Sequence, residues 1–208
     1  MCEFTTAAAS MPWLSTITPV ATFVLGFISA VFAEPARHRL FRPVLRLSFS
    51  GSEDCVARTP TTDGSEAVYF RVKVTNDKPR LARACRAYLV KVETKAAGSR
   101  FVNTLYADSI QLAWSCQEPG AERAPLDLPN GVSQYIDLIA TSKAVKTFTP
   151  QINPFPHRYR QLFTSKEETY RLTVQVSGDG IEPKILKMIF VWKGQWDTAE
   201  AYEDTSKA

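Results

Sequence analysis

The chain has 208 residues with 25 basic and 21 acidic side chains, a formal net charge of +4 and four cysteines. Setting aside an apolar N-terminal segment and its basic flank leaves about 165 residues, which is enough for one domain with its own core. From Leu47 onward 21 basic side chains stand against 19 acidic ones, and this excess is too small to favour a nucleic-acid-binding domain.

The N-terminal segment predicts one membrane-spanning helix over residues 13–33, preceded by a short tail of residues 1–12. Residues 4–33 carry no charged side chain. A helix of these 21 residues spans about 30 Å, which matches the hydrocarbon layer of a bilayer. Trp13 stands where an interfacial aromatic anchor is expected. The basic flank, which overlaps the predicted linker of residues 34–43, consists of Arg37, Arg39, Arg42 and Arg46.

The charges around this span predict a single-pass membrane protein with a cytoplasmic C-terminal domain. Glu3 is the only charged residue ahead of the span, and arginines close to a span resist translocation. The alternative is a secretory signal peptide, with Val31 and Ala33 at the small-residue positions of a cleavage site. The lack of a basic stretch before the apolar segment argues against this alternative.

Beyond the linker, apolar residues recur with a period of two, which is typical of half-buried strands. The pattern predicts seven strands, over residues 44–50, 67–76, 84–93, 109–116, 133–141, 169–177 and 184–192. Turn and loop signals separate them, and no segment between them has the pattern of an amphipathic helix. We therefore expect an all-β fold, an antiparallel immunoglobulin-like β-sandwich over residues 44–196. The acidic tail of residues 197–208 is predicted to be disordered.

The strand over residues 84–93 also bears on the cysteines. Its alternation places Cys85, Ala87 and Leu89 on one face and Tyr88, Val90 and Val92 on the other. Cys85 and Cys116 lie in apolar alternation, where a free cysteine behaves as a small buried hydrophobe. Reduced thiols suit a cytoplasmic domain, whereas an exported domain would allow a bridge between Cys55 and Cys116.

The strand sequences and the closing segment carry a resemblance. The runs YFRVKVTN, ACRAYLVKVE, YRLTVQVSGDG and VWKGQWD resemble bacterial immunoglobulin-like domains of the fibronectin type III and CARDB-like kinds. They are more similar to uncharacterised bacterial membrane-anchored proteins whose domain ends in W-x-G-x-W-D. Here that motif is Trp192, Gly194, Trp196 and Asp197. The resemblance implies a sandwich fold and no catalytic residue.

Residues for catalysis are scarce. The two histidines are His38, in the basic flank, and His157, in a loop without a nucleophile motif around it. No His or Cys spacing indicates a metal site, and no glycine-rich loop indicates a phosphate site. We expect a protein that is not an enzyme, with no catalytic, cofactor-binding or metal-binding residues and no cofactor. A hydrolase built around His157 is kept as a third hypothesis.

Two segments carry candidate binding residues. The first is a basic turn with Lys78, Arg80, Arg83 and Arg86, which is able to meet anionic lipid headgroups or to be an ordinary solvated turn. The second is the loop NPFPHRYRQLF, whose candidates are Phe155, His157, Arg158, Tyr159 and Arg160. Aromatic and arginine side chains dominate interface hot spots, although the favoured interpretation is that these rings fold back onto the sandwich.

Trp192 and Trp196 allow a ligand-stacking platform, although core packing is the simpler reading. The predicted function is a membrane-tethered, non-enzymatic recognition or scaffolding module at the cytoplasmic face of the inner membrane. Its partners would be the lipid bilayer, through the N-terminal helix, and a protein at the membrane, without nucleic acid. The alternative is an exported β-sandwich module that binds glycans or envelope ligands.

Overall fold

A computed structural model describes most of the chain beyond the predicted span. The described residues are 26–27, 42–60, 64–95, 100–117, 121, 124–151, 156–163 and 167–206. The chain divides into two compact units, Met1–Phe41 and Arg42–Ala208. The predicted span lies outside the described residues apart from the helical Gly26 and Phe27, as do Trp13, Arg37 and Arg39. Within the described part of the chain, no helix is long and apolar enough to cross a membrane.

The second unit is all-β, as predicted, and its regular elements are strands and one short helix. The strands of the described ranges are β1 (Leu45–Ser48), β2 (Val56–Pro60), β3 (Glu66–Asn76), β4 (Ala82–Lys95), β5 (Val102–Asn103), β6 (Ile110–Trp114), β7 (Leu126–Leu128), β8 (Ser133–Ser142), β9 (Val145–Pro150), β10 (Glu168–Gly178), β11 (Ile181–Trp192) and β12 (Glu200–Glu203). A 3₁₀ helix covers His157–Leu162.

All seven predicted strands are present, as β1, β3, β4, β6, β8, β10 and β11. The five additional strands have two to six residues each, too short for an alternating pattern to stand out. One of them corrects a prediction: β12 lies in the tail predicted to be disordered. Residues 200–203 of that tail pair with Met188 to Val191 of β11, because pairing satisfies backbone groups whatever the side chains are.

Every pairing between these strands is antiparallel, and the pairings join the twelve strands of the described ranges into one sheet. We call its two halves, on either side of β6, the first and the second sheet. In the first sheet, β1 and β2 pair with one side of β3, β3 pairs with β8, and β8 pairs with β9. In the second sheet, the order is β4, β10, β11 and β12, with β5 and β7 on the free side of β4. Strand β6 joins the two sheets, since its first half pairs with β4 and its second half pairs with β8.

The two sheets share one hydrophobic core. Val68, Phe70, Val72 and Val74 of β3 are all buried, as the alternation predicted. The ring of Phe70 meets the ring of Phe190 from the second sheet edge-on, with centroids 5.2 Å apart. Each large apolar side chain buried in this way contributes about 1.5–3 kcal/mol relative to exposure. The inner faces of the two sheets therefore pack against each other.

Strand β4 departs from its predicted faces. Leu89 pairs with Val174 but Lys91 pairs with Thr173, so Val90 is an extra residue in a bulge. A bulge of one residue shifts the alternation that follows it. As a result Val92 is buried on the same face as Leu89, whereas the sequence pattern placed these two residues on opposite faces.

The cysteines are only partly as predicted. Cys85 is buried, but Cys116 is exposed because it lies in a turn beyond the end of β6. Cys55 is buried and, like the other two, is a free thiol. The structure therefore has no bridge between Cys55 and Cys116.

Candidate functional site

The predicted basic turn is an exposed connection between β3 and β4. Lys78, Arg80 and Arg83 are exposed, and Arg86 is exposed a few residues into β4. None of these four side chains forms a hydrogen bond or an ion pair with another described residue. The turn therefore presents cations that the folded domain does not neutralise.

A buried asparagine holds this turn from beneath. Asn76, the last residue of β3, is fully buried. Its Nδ2 donates to the carbonyl oxygens of Arg80 at 2.7 Å and Leu128 at 3.0 Å. Its Oδ1 accepts from the backbone N–H of Lys78 at 3.2 Å. Sequence reasoning missed this role, although an asparagine at an inward position of β3 was a signal of it.

The start of β4 is held equally tightly. Ala84 has a φ of 51°, a backbone conformation that favours glycine. Its N–H donates to Oδ1 of Asp127 at 2.8 Å. On the other side, a Cβ on Gly178 would lie 2.7 Å from the carbonyl oxygen of Arg83, so only glycine fits there without a shift. Backbone contacts thus fix the position from which the Arg83 side chain leaves the domain.

The chain enters the folded domain at the same end. Nε of Arg42 donates to the carbonyl oxygen of Gly180, in the turn between β10 and β11, at 2.7 Å. The N–H of Asp77 donates to the carbonyl of Val44 at 3.0 Å, and Arg46 forms an ion pair of 2.9 Å with Asp77. The domain therefore begins at Arg42, two residues before the predicted boundary. The two predicted flank residues that the structure describes lie beside the basic turn.

We call this surface the basic end. It is defined by six exposed cations: Arg42, Arg46, Lys78, Arg80, Arg83 and Arg86. Among the described residues beside them, the carboxylates are those of Asp77, Asp127 and Asp179, while Glu182 is paired with Lys184 at 3.4 Å. Val44 and Val132 are 36% and 39% exposed. The surface thus combines excess positive charge with two exposed apolar side chains.

The described rings of the second segment fold back onto the domain, as the favoured interpretation held, so Tyr159 is corrected as a binding candidate. Tyr159 and Phe163 are buried, so neither ring is exposed to a partner. Burying such a large ring stabilises the fold because it removes a large apolar surface from water. The ring of Tyr159 lies 4.8 Å from that of Tyr106. His157, Arg158 and Arg160 are exposed, and Phe155 lies outside the described residues.

The segment is tied to the loop before β6 by a carboxylate. Asp108 accepts a hydrogen bond from the hydroxyl of Tyr159 and forms an ion pair with Arg158. The hydrogen bond from Tyr159 has the larger effect and the pairing with Arg158 a smaller one, and together they hold the pKa of Asp108 below its usual value. Arg158 is therefore paired within the fold, and this segment offers a partner less free charge than the basic end does.

An open cleft of about 350 Å³ lies between the 3₁₀ helix and the loop after β5. Its walls include Asn103, Leu105, Gln161 and Glu168. The hydroxyl of the buried Tyr170 donates to Glu168 at 2.8 Å. The described lining residues include one carboxylate, Glu168, and two hydroxyls, those of Thr94 and Thr104.

Two further observations bear on chemistry. Burial raises the pKa of Asp137, while the Ser115 hydroxyl, which donates to it at 2.6 Å, and the charge of Arg71 oppose this shift. His157 forms no side-chain hydrogen bond with a described residue. Among the described residues no group of three or more His, Cys, Asp or Glu side chains is placed to hold a metal ion.

Trp192 is buried in the core, which confirms the favoured interpretation of this residue over a ligand-stacking platform. Trp196 is half-buried against that core, and its carbonyl accepts from the buried hydroxyl of Thr141 at 2.8 Å. Both tryptophans of the W-x-G-x-W-D motif therefore have structural contacts.

No family model matches the chain. A search of curated proteins likewise finds no relative.

Proposed function

We propose that the chain is a membrane-tethered, non-enzymatic recognition or scaffolding module. Residues 13–33 would anchor it in the bacterial inner membrane, and the β-domain would stand at the cytoplasmic face. The observation that supports this proposal is the bond between Arg42 and Gly180 at 2.7 Å. Arg42 is the first residue of the folded unit and lies at the basic end, and positive charge suits an anionic membrane surface.

We further propose that the domain is an immunoglobulin-like sandwich. The two facing sheets, the edge-on contact of Phe70 with Phe190 and the buried Trp192 support this assignment. Sandwiches of this kind serve recognition through end loops and strand edges. The fold therefore suits binding, but it does not by itself select a partner.

A sheet edge would receive the protein partner. Strand β12 is the last strand of the second sheet, and Tyr202 within it is 52% exposed. An edge strand offers unpaired backbone groups, to which an extended segment of a partner adds by main-chain hydrogen bonds. The tether would raise the local concentration of the domain near other membrane proteins, so a weak contact of this kind is sufficient.

The exposed Cys116 allows a direct test of the tether and its orientation. In a Cys2→Ser variant, Cys116 is the thiol that we expect to react in the folded domain, because Cys55 and Cys85 are buried. The proposal predicts that the chain stays in the membrane after alkaline extraction. It also predicts that a membrane-impermeant maleimide labels it in spheroplasts only after lysis. A Cys2→Ser/Cys116→Ser variant is the matched control.

The other outcomes contradict the proposal in separate ways. Labelling of Cys116 in unbroken spheroplasts would reverse the orientation and support the exported binding module. Recovery of the chain in the soluble fraction would remove the tether.

A further inference from the structure

The basic end offers charge that the domain leaves uncompensated. Two of its six cations are engaged within the fold, since Arg42 donates to Gly180 and Arg46 pairs with Asp77. The other four form no hydrogen bond or ion pair with another described residue. Of the nearby carboxylates, Asp77 is held by Arg46, and Asp127 accepts from the N–H of Ala84. With Asp179 there are three carboxylates beside six cations, so net positive charge is available to an external anion.

The backbone beneath these cations is fixed before any ligand arrives. Asn76 holds the turn through three hydrogen bonds. The carbonyl oxygen of Arg83 accepts a hydrogen bond from the N–H of Asp179 at 3.0 Å, and it approaches Gly178 so closely that a Cβ there would not fit. A surface that is ordered in advance loses less entropy on binding. The arrangement suits repeated weak contacts to many anions rather than one deep pocket.

The exposed apolar residues of the basic end favour a lipid surface over other anions as its ligand. Val44 and Val132 are 36% and 39% exposed beside the cations, and small apolar side chains are able to enter the boundary between headgroups and acyl chains. The charge of the remaining domain is nearly balanced, which disfavours a polyanion such as nucleic acid that would spread over a larger face.

We propose that the basic end docks on the anionic headgroups of the bilayer, with Lys78, Arg80, Arg83 and Arg86 at the headgroups and Val132 at the acyl boundary. The inference rests on the proposed function, because the tether at Arg42 brings this end to the membrane. Docking would hold the long axis of β3 perpendicular to the membrane plane. The end with Glu66 and the turn at Lys143 would then point away from the bilayer, about 30 Å from the headgroups.

The test uses the full-length chain in nanodiscs, with a fluorophore on Val132→Cys in a Cys2→Ser/Cys116→Ser background. Discs contain either zwitterionic lipid alone or zwitterionic lipid mixed with phosphatidylglycerol, and both carry a quencher on a headgroup. We expect quenching in the anionic discs, and we expect it to fall at high salt because salt screens exposed charges. A label on Ala144→Cys, at the opposite end, should not be quenched.

Charge reversal separates docking from simple proximity. Each basic residue near an anionic surface changes the binding equilibrium about fivefold. Arg80→Glu/Arg83→Glu should therefore lower the docked-to-undocked ratio by more than about tenfold. The matched control is Arg58→Glu/Lys143→Glu, which reverses two exposed cations at the opposite end and should leave quenching unchanged.

Two results would overturn the inference. One is equal quenching in neutral and anionic discs; the other is quenching that survives Arg80→Glu/Arg83→Glu. A chain that does not stay in the discs would contradict the tether instead. In that event the same labelled chain is mixed with preformed anionic vesicles. Salt-sensitive binding that Arg80→Glu/Arg83→Glu abolishes would still support docking. The absence of binding would refute it.

Discussion

The hydroxyl of Tyr159 donates a hydrogen bond to the carboxylate of Asp108. The bond joins the 3₁₀ helix to the loop before β6, across 51 residues of chain, and the ring of Tyr159 lies against that of Tyr106. A tyrosine in the loop that composition marked as a binding loop is in this way part of the fold.

Replacing Asp108 by Asn tests this fastening through its pH dependence. The bonds from Tyr159 and then Arg158 lower the folded pKa of Asp108 below its usual value of 3.8. A lowered folded pKa means that the stabilisation is present above the unfolded pKa and is lost as pH falls through the folded pKa. We expect Asp108→Asn to lower the free energy of unfolding at neutral pH, measured by urea denaturation. The difference from the parent should shrink below about pH 4. A difference that stays constant with pH would contradict the assignment.

Gly178→Ala tests the close approach of β10 to the start of β4. The added Cβ would lie 2.7 Å from the carbonyl oxygen of Arg83 and 2.9 Å from Cδ1 of Ile181. Overpacking against backbone costs about 1–3 kcal/mol, and we expect a loss of this size in the free energy of unfolding. Gly51→Ala is the control, because no atom lies within 4 Å of its added Cβ.

Asn76→Ala should loosen the basic turn. The substitution leaves the carbonyls of Arg80 and Leu128 and the N–H of Lys78 without their buried partner, which costs about 1–3 kcal/mol for each group that water does not reach. We expect lower stability and faster tryptic cleavage after Arg80, followed by mass spectrometry. Asn103→Ala, at an exposed position, should change neither. Unchanged cleavage would show that Asn76 does not order the turn.

Thiol reactivity distinguishes the three described cysteines. In a Cys2→Ser variant we expect one fast-reacting thiol in the native chain and three after unfolding, since Cys116 is exposed and Cys55 and Cys85 are buried. Burial, with smaller contributions from Asp127 and Asp179, raises the pKa of Cys85 to about 11, so its thiolate is scarce at about pH 8. Rapid loss of more than one native thiol with a chromogenic disulfide would contradict this packing.

Removing residues 200–208 tests whether β12 belongs to the fold. Deletion exposes the edge of β11. It also removes Asp204, whose Oδ2 forms an ion pair with Nε of the half-buried Arg171 at 2.9 Å, although the two atoms do not have hydrogen-bond geometry. We expect a loss of about 2–4 kcal/mol by urea denaturation, together with aggregation from the open edge. Tyr202→Ser retains the backbone pairing and is expected to have a small effect. Unchanged stability after truncation would show that β12 does not contribute to the fold and would support the predicted disorder of the tail.

Several features follow from local pattern and were readable in the chain. Alternation over nine or ten residues located β3, β10 and β11, because a strand with one buried face repeats every two residues. It failed at Val90 of β4, since a bulge depends on the partner strand. It also failed at β12, where backbone pairing with β11 replaces any side-chain signal.

The candidate site divides in the same way. The sequence by itself determined that Lys78, Arg80, Arg83 and Arg86 lie near a turn, because turn residues and charge are local properties. Only the tertiary structure decided that Arg42 and Arg46 join them, because Gly180 and Asp77 come from other parts of the chain. It alone decided that Tyr159 is buried while Cys116 is exposed, since burial depends on which distant surfaces meet.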